Sequence, residues 1–223
     1  MCGRFTLIQA AEVLQDSFNI ESVPSLQPRY NIAPTQEVVT VLYDTDNDLR
    51  VANSLRWGLI PSWSKDPSIA SKLINARSET VAEKPSFRSA FKKRRCLIVA
   101  DGFYEWQRTE GKKQPFRFQL QEKQPFGFAG LWEQWQSPDG EEIDTCTILT
   151  TAANDLMAPI HDRMPVILKP EDYDLWLDPQ MQDPKMLQPL LQPFSTEAMT
   201  AYPVSTIVNS PRNNTPECIV PVT

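Results

Sequence analysis

Apolar residues in this chain come mostly in short runs and alternations. Val38 to Tyr43, Cys96 to Ala100, Pro125 to Trp132 and Ile143 to Thr151 are apolar runs of strand length. Gly102 to Trp106 alternates and predicts another strand, and Pro115 to Leu120 returns beyond the turn Glu110-Gly111-Lys112-Lys113. The polar turn Asp44 to Asp48 predicts a hairpin back through Arg50 to Leu55, and Pro138-Asp139-Gly140 joins two of the longer strands. Tyr202 to Val208 and the apolar tail Cys218 to Val222 predict a late strand and a final edge strand. Helical spacing is rarer. Gln9 to Phe18 carries an apolar stripe at Ala10, Ala11, Val13, Leu14 and Phe18, and Lys84 to Arg95 sets Phe87 and Phe91 among six cations as a basic amphipathic helix. Short helices are expected at Glu171 to Leu177 and Asp183 to Leu191, a helical turn at Asn154 to Met157, and a proline-punctuated loop at Ser25 to Pro34. The sum is an α+β, mainly β chain of many short strands with peripheral helices.

Composition narrows this picture. Twenty prolines against seven glycines favour short strands with stiff connections. A hydrophobic fraction of 41% and six tryptophans supply a sizeable core in 223 residues, which read as one domain without a linker. No apolar run approaches a membrane span, and no basic stretch followed by an apolar one marks a secretory signal. Cys2, Cys96, Cys146 and Cys218 form no C-x-x-C pair, which fits free thiols in a reducing cytoplasm. With His161 as the single histidine, no His-rich metal site and no cofactor are expected.

The net charge of −6 argues against nucleic acid, but its distribution does not. Residues 50–117 hold 15 Lys+Arg against 6 Asp+Glu, and the rest holds 7 against 22. That asymmetry suits a basic face for a phosphate backbone, or a solvated surface of interleaved charge.

Candidate chemistry begins at Cys2. Removal of Met1 makes Cys2 an N-terminal 1,2-aminothiol, which condenses with an aldehyde and closes a thiazolidine. An α-amine titrates near pH 7.7–8.0, so a useful fraction is uncharged at neutral pH. Glu105 stands between large aromatics and reads either as a desolvated carboxyl or as an exposed residue on a polar strand face. His161 lies in the loop Ile160-His161-Asp162-Arg163-Met164-Pro165, a setting for structure or for catalysis. Trp63 follows Gly58 and Pro61 in a loop; core packing is the first expectation and base stacking the second.

Taken together, Met1-Cys2-Gly3-Arg4-Phe5, Tyr30-Asn31-Ile32-Ala33-Pro34, Arg56 to Trp63, Ile74 to Thr80, Asp101 to Trp106, Thr150 to Ala153 and His161 to Pro165 resemble the SRAP family of SOS response-associated peptidases, or abasic-site processing proteins. The similarity runs in order over nearly the whole chain and departs from some relatives after Trp63, where Ser64-Lys65-Asp66 follows. It implies one SRAP domain over 1–223, with antiparallel strands forming a barrel-like core. It also implies binding to single-stranded DNA at abasic sites and a covalent thiazolidine crosslink that shields the lesion from strand cleavage. Carried over by motif, Cys2 would be the nucleophile. Asn75 would position the Cys2 amine and the sugar, Glu105 would shuttle protons, and His161 would hold and protonate the sugar oxygen. Arg4, Arg77 and Arg163 would take phosphates. Trp63, Asn31, Pro34 and Thr150 would complete the DNA contacts. No metal, cofactor or membrane enters. The partners implied are abasic single strands and replication-fork proteins, met by a cytoplasmic monomer. Three other readings remain open: an N-terminal-nucleophile amidohydrolase, a cysteine peptidase using Cys2, His161 and Glu105, and a non-covalent reader of modified bases.

Overall fold

A computed structural model describes residues 2–24, 26–109 and 111–222. Met1, whose loss the aminothiol chemistry requires, lies outside the described residues, as do Ser25 in the expected loop and Glu110 in the expected turn. The strands are β1 (Phe5–Leu7), β2 (Arg29–Ile32), β3 (Glu37–Asp44), β4 (Leu49–Trp57), β5 (Asn75–Arg77), β6 (Arg95–Ala100), β7 (Gly102–Thr109), β8 (Lys112–Leu120), β9 (Phe126–Gln136), β10 (Glu142–Ala152), β11 (Arg163–Pro165), β12 (Ile167–Leu168) and β13 (Met199–Pro203). The α-helices are short: α1 (Ala11–Phe18), α2 (Arg88–Lys93), α3 (Tyr173–Leu177) and α4 (Pro184–Leu187). The fold is α+β and mainly β, and none of these helices is long and apolar enough to cross a membrane.

Five strands close on themselves. β10 pairs with β4, β4 with β3, β3 with β6, β6 with β9, and β9 returns to β10. Closure leaves no free edge among these five. It also explains why β6, β9 and β10 read as near-continuous apolar runs: their faces are covered on both sides. Most pairings are antiparallel, but β4 and β5 both run parallel to β10, an arrangement that the hairpin pattern did not foreshadow. A second sheet of five strands, in the order β13-β8-β7-β1-β2, packs on the barrel. Phe5 of β1 meets Trp57 at 5.2 Å and Phe128 at 5.8 Å, and Phe103 of β7 meets Phe118 at 5.1 Å and Phe128 at 5.9 Å. These rings are fully buried and join the sheets through one apolar core.

Four expected elements are corrected. The proline-punctuated stretch contains β2, whose Ile32 and Arg29 register against Phe5 and Leu7 of β1. The late strand stops at Pro203, and residues Thr206–Asn209 form a 3-10 turn. The tail is a 3-10 turn at Pro216–Ile219, with only a bridge from Pro221 to Val204. The basic helix shrinks to α2, and two of its flanking cations are tied down. Arg95 is 4% exposed and donates to the carbonyls of Trp176, Phe91, Lys92 and Asp178, while Arg94 pairs with Glu133 at 2.6 Å. Burial lowers the Arg95 guanidinium to about 10. These two cations hold α2 and α3 to the barrel and contribute nothing to a free basic face.

Candidate functional site

Cys2 stands three residues before the start of β1 and is part of the apolar core. The antiparallel register of β1 on β7 sets Phe5 against Phe103 and Thr6 against Gly102, and the Tyr104 amide prolongs it by donating to the Arg4 carbonyl at 3.0 Å. Glu105, the next residue of β7, lies close enough to Cys2 for its charge to act on the thiol. Cys2 is fully buried, and its thiol is pushed well above the ordinary cysteine range, first by burial and then by the charge of Glu105. Glu105 is 4% exposed, so it is a buried residue and the expectation of an exposed one on a polar strand face does not hold.

Asn75 reaches Cys2 from the barrel. Its register with Ile148 of β10 fixes β5, and its Nδ2 donates to the Cys2 carbonyl at 2.9 Å. Its Oδ1 is buried and has no hydrogen-bond partner among the described residues. A buried acceptor without a donor is costly, by roughly 1–3 kcal/mol.

His161 closes the site from a loop ending in β11. The Arg163 amide donates to His161 Nδ1 at 3.0 Å. Asp162 Oδ1 also lies 3.0 Å from Nδ1. Gln107 of β7 donates to the Pro159 carbonyl at 3.2 Å, tying this loop to the strand that carries Glu105. Arg4, Glu105, Trp106, Arg108, Lys113 and His161 share an open cavity of about 940 Å³.

The expected DNA contacts fall into distinct groups. Arg77 and Arg163 flank β10, registered on Thr150 and Ala152. Arg77 is exposed, whereas Arg163 is held by Glu79 at 2.6 and 2.9 Å and by the Thr150 carbonyl at 2.7 Å. Arg4 extends over Trp106, its centre 5.9 Å from the ring, and donates to Asn31 and the Val208 and Asn209 carbonyls. Trp63 is 60% exposed, which overturns the core expectation and leaves its ring available for stacking. Gly58 makes that loop possible: its φ of 129° suits glycine, and a Cβ there would meet the Ala70 carbonyl at 2.9 Å. Trp135 anchors the loop by donating to the Ser64 carbonyl at 2.7 Å. Pro34 is half-buried at the end of the β2 loop.

Two expected contacts do not fit a direct role. Asn31 is 2% exposed; its Nδ2 donates to the carbonyls of Val208, Ser210 and Asn213, and its Oδ1 accepts from Arg4. Its polar atoms are spent on seating Arg4. Thr150 is fully buried, its hydroxyl donating to the Ala76 carbonyl at 3.4 Å; its carbonyl and hydroxyl oxygens accept from Arg163 at 2.7 and 3.5 Å, so it serves the site by orienting Arg163. Sequence reasoning did not single out Arg108, Lys113, Trp106 or Glu79. The first three sit on the hairpin that carries Glu105, and Glu79 ends the stretch that begins at Asn75.

Three comparisons bear on this arrangement. A family model described as SOS response associated peptidase (SRAP) matches residues 1–211. The abasic site processing protein YoqW of Bacillus subtilis is 50% identical over 223 residues, covering 98% of this chain and 99% of that protein. HMCES of Xenopus tropicalis, also named an abasic site processing protein, is 38% identical over 225 residues, covering 88% of this chain and 67% of its own length. A crystal structure of a protein from Bacteroides thetaiotaomicron superposes with a TM-score of 0.89 at 28% identity, over 100% of both chains.

Proposed function

Since the chain belongs to the SOS response associated peptidase family, we propose that it processes abasic sites in single-stranded DNA by covalent capture on Cys2. Hydrolysis of the Met1–Cys2 bond frees the α-amine, and it is the one peptidase step that the reading needs. The amine attacks C1′ of the ring-opened deoxyribose and releases water as the imine forms. The Cys2 S–H then adds across C=N: sulfur bonds to C1′, and the proton goes to nitrogen. The product is a thiazolidine, with the phosphodiester backbone intact.

The order of steps agrees with the electrostatics. A buried thiol beside Glu105 stays protonated, so the amine acts first and the thiol follows once the imine is in place. Glu105 takes the thiol proton and returns it to nitrogen, and it removes the sugar hydroxyl proton during ring opening. His161 presents Nε2–H to the sugar ring oxygen. Arg4, Arg77 and Arg163 hold phosphates, and Trp63 stacks on a base; neither interaction demands sequence.

The observation that carries the reading is the pairing of Asn75 with Cys2. Its amide grips the Cys2 carbonyl, while its buried Oδ1 lacks a donor that a free Cys2 amine or a sugar hydroxyl supplies. The test is to compare capture and binding in Glu105→Gln. We expect crosslinking of an abasic strand to slow at least tenfold, with non-covalent affinity for an uncleavable abasic analogue within twofold of wild type. An equal loss in both would make Glu105 a structural residue and contradict the proton-transfer role.

A further inference from the structure

We propose that Arg108 and Lys113 form a second phosphate-binding arm, gripping the strand on the opposite side of the lesion from Arg77 and Arg163. The inference rests on the capture reading above and adds the path of the DNA.

The observations are electrostatic and topological. Arg108 on β7 and Lys113 on β8 are directly opposed across the hairpin, and both are exposed. Like charges placed opposite each other in a sheet destabilise the pair. Four arginines elsewhere are relieved by carboxylates: Arg50 by Asp174, Arg94 by Glu133, Arg117 by Asp101 and Arg163 by Glu79. Neither Arg108 nor Lys113 has such a partner among the described residues. Both line the open cavity that Glu105 and His161 also line. Of the two carboxylates that line that cavity, Glu105 is 4% exposed and Asp162 lies 3.0 Å from the imidazole of His161.

The two arms stand on different sheets. Arg77 and Arg163 flank β10 of the barrel, whereas Arg108 and Lys113 belong to the second sheet. His161 and Glu105 lie where those sheets meet. A strand held by both arms therefore passes over the reacting centre, with one phosphate flank on each sheet. Unrelieved cations and an open cavity floor suit a flexible single strand, whose phosphates can turn toward both.

The experiment uses three strands carrying a tetrahydrofuran abasic analogue, which cannot react. One has the analogue at its centre, one ends just 3′ of it, and one ends just 5′ of it. Binding is followed by anisotropy as a function of salt, for wild type, Arg108→Ser/Lys113→Ser and Arg77→Ala. On the central strand we expect the double variant to lower the salt slope by about 0.7 for each phosphate it no longer holds. On one truncated strand it should match wild type, and Arg77→Ala should match wild type on the other. Arg108→Lys/Lys113→Arg should restore affinity and slope. Unchanged binding of all three strands by the double variant would overturn the arm. An equal loss on both truncated strands would overturn its assignment to one flank. A wild-type protein that binds the analogue but forms no adduct with an aldehyde-bearing strand would refute the capture reading and leave the arm standing.

Discussion

Replacing Asn75 with alanine separates a positioning role from a merely structural one. The side chain makes one hydrogen bond, from Nδ2 to the Cys2 carbonyl at 2.9 Å, and carries one buried acceptor, Oδ1, with no partner among the described residues. Removing the bond costs about 0.5–1.5 kcal/mol net. Removing the orphaned acceptor returns about 1–3 kcal/mol of desolvation penalty. The two effects oppose each other, so stability should stay within about 1 kcal/mol of wild type by urea denaturation, against the roughly 2–5 kcal/mol of an ordinary core truncation. Capture should respond differently. If the free Cys2 amine takes Oδ1 as its acceptor, as proposed, Asn75→Ala removes that acceptor and the tether on the Cys2 carbonyl, and about 1.4–2.8 kcal/mol of lost orientation slows a single turnover by about 10- to 100-fold. The assay is the rate of adduct formation on a denaturing gel at saturating DNA, with the urea midpoint measured on the same preparation. Wild-type crosslinking rates in Asn75→Ala would refute the reasoning. So would a drop of more than about 3 kcal/mol in stability, because the orphaned acceptor would then not be one.

Two further predictions concern the scaffold. The thiols of Cys2, Cys96 and Cys146 are all buried and all pushed above their ordinary value of 9.0, with burial the main cause. Above pH 9 the unfolded chain releases these protons while the folded chain keeps them, so stability falls as pH rises, by up to about 1.4 kcal/mol per thiol per pH unit; urea midpoints at pH 8, 9 and 10 should show this, Cys146→Ala should flatten the slope, and a flat wild-type profile would contradict the burial argument. Gly102→Ala would place a Cβ 2.6 Å from Arg117 Nη2, on a guanidinium that is 3% exposed and already held by Thr6, Tyr202 and Asp101. It should cost about 1–3 kcal/mol, and an unchanged melting temperature would show that Arg117 gives way freely.

The parts of this fold that were legible in sequence are those where burial alone sets the pattern. β6, β9 and β10 read as apolar runs because barrel closure covers both faces of each. The tail misled for the opposite reason. Cys218 and Val208 are apolar because they pack around Tyr104 in a satellite cluster, with no strand pairing involved. Pro203 has no amide to extend β13, and Pro216 starts a 3-10 turn instead. β2 was hidden because three prolines surround it, and its partner is the short N-terminal strand that follows Cys2. At the site, Cys2, Asn75, Glu105 and His161 were each visible as motif residues far apart in the chain. Their meeting depends on two features no local pattern reports, the parallel β5–β10 pair and the short β1–β7 register. Cation counts were a poorer guide. Arg94 and Arg95 look identical to Arg108 and Lys113 in composition, yet the first two are tied into the scaffold and the last two face the cavity.

The most direct measurement is the intact mass of protein freed of Met1 after incubation with a single strand bearing one abasic aldehyde, without added reductant. The account expects one adduct, lighter than the sum of protein and DNA by a single water, absent in Cys2→Ser and absent when the strand carries the tetrahydrofuran analogue. No adduct from wild type with a confirmed free N-terminus, or an adduct of equal yield from Cys2→Ser, would contradict capture by the N-terminal aminothiol.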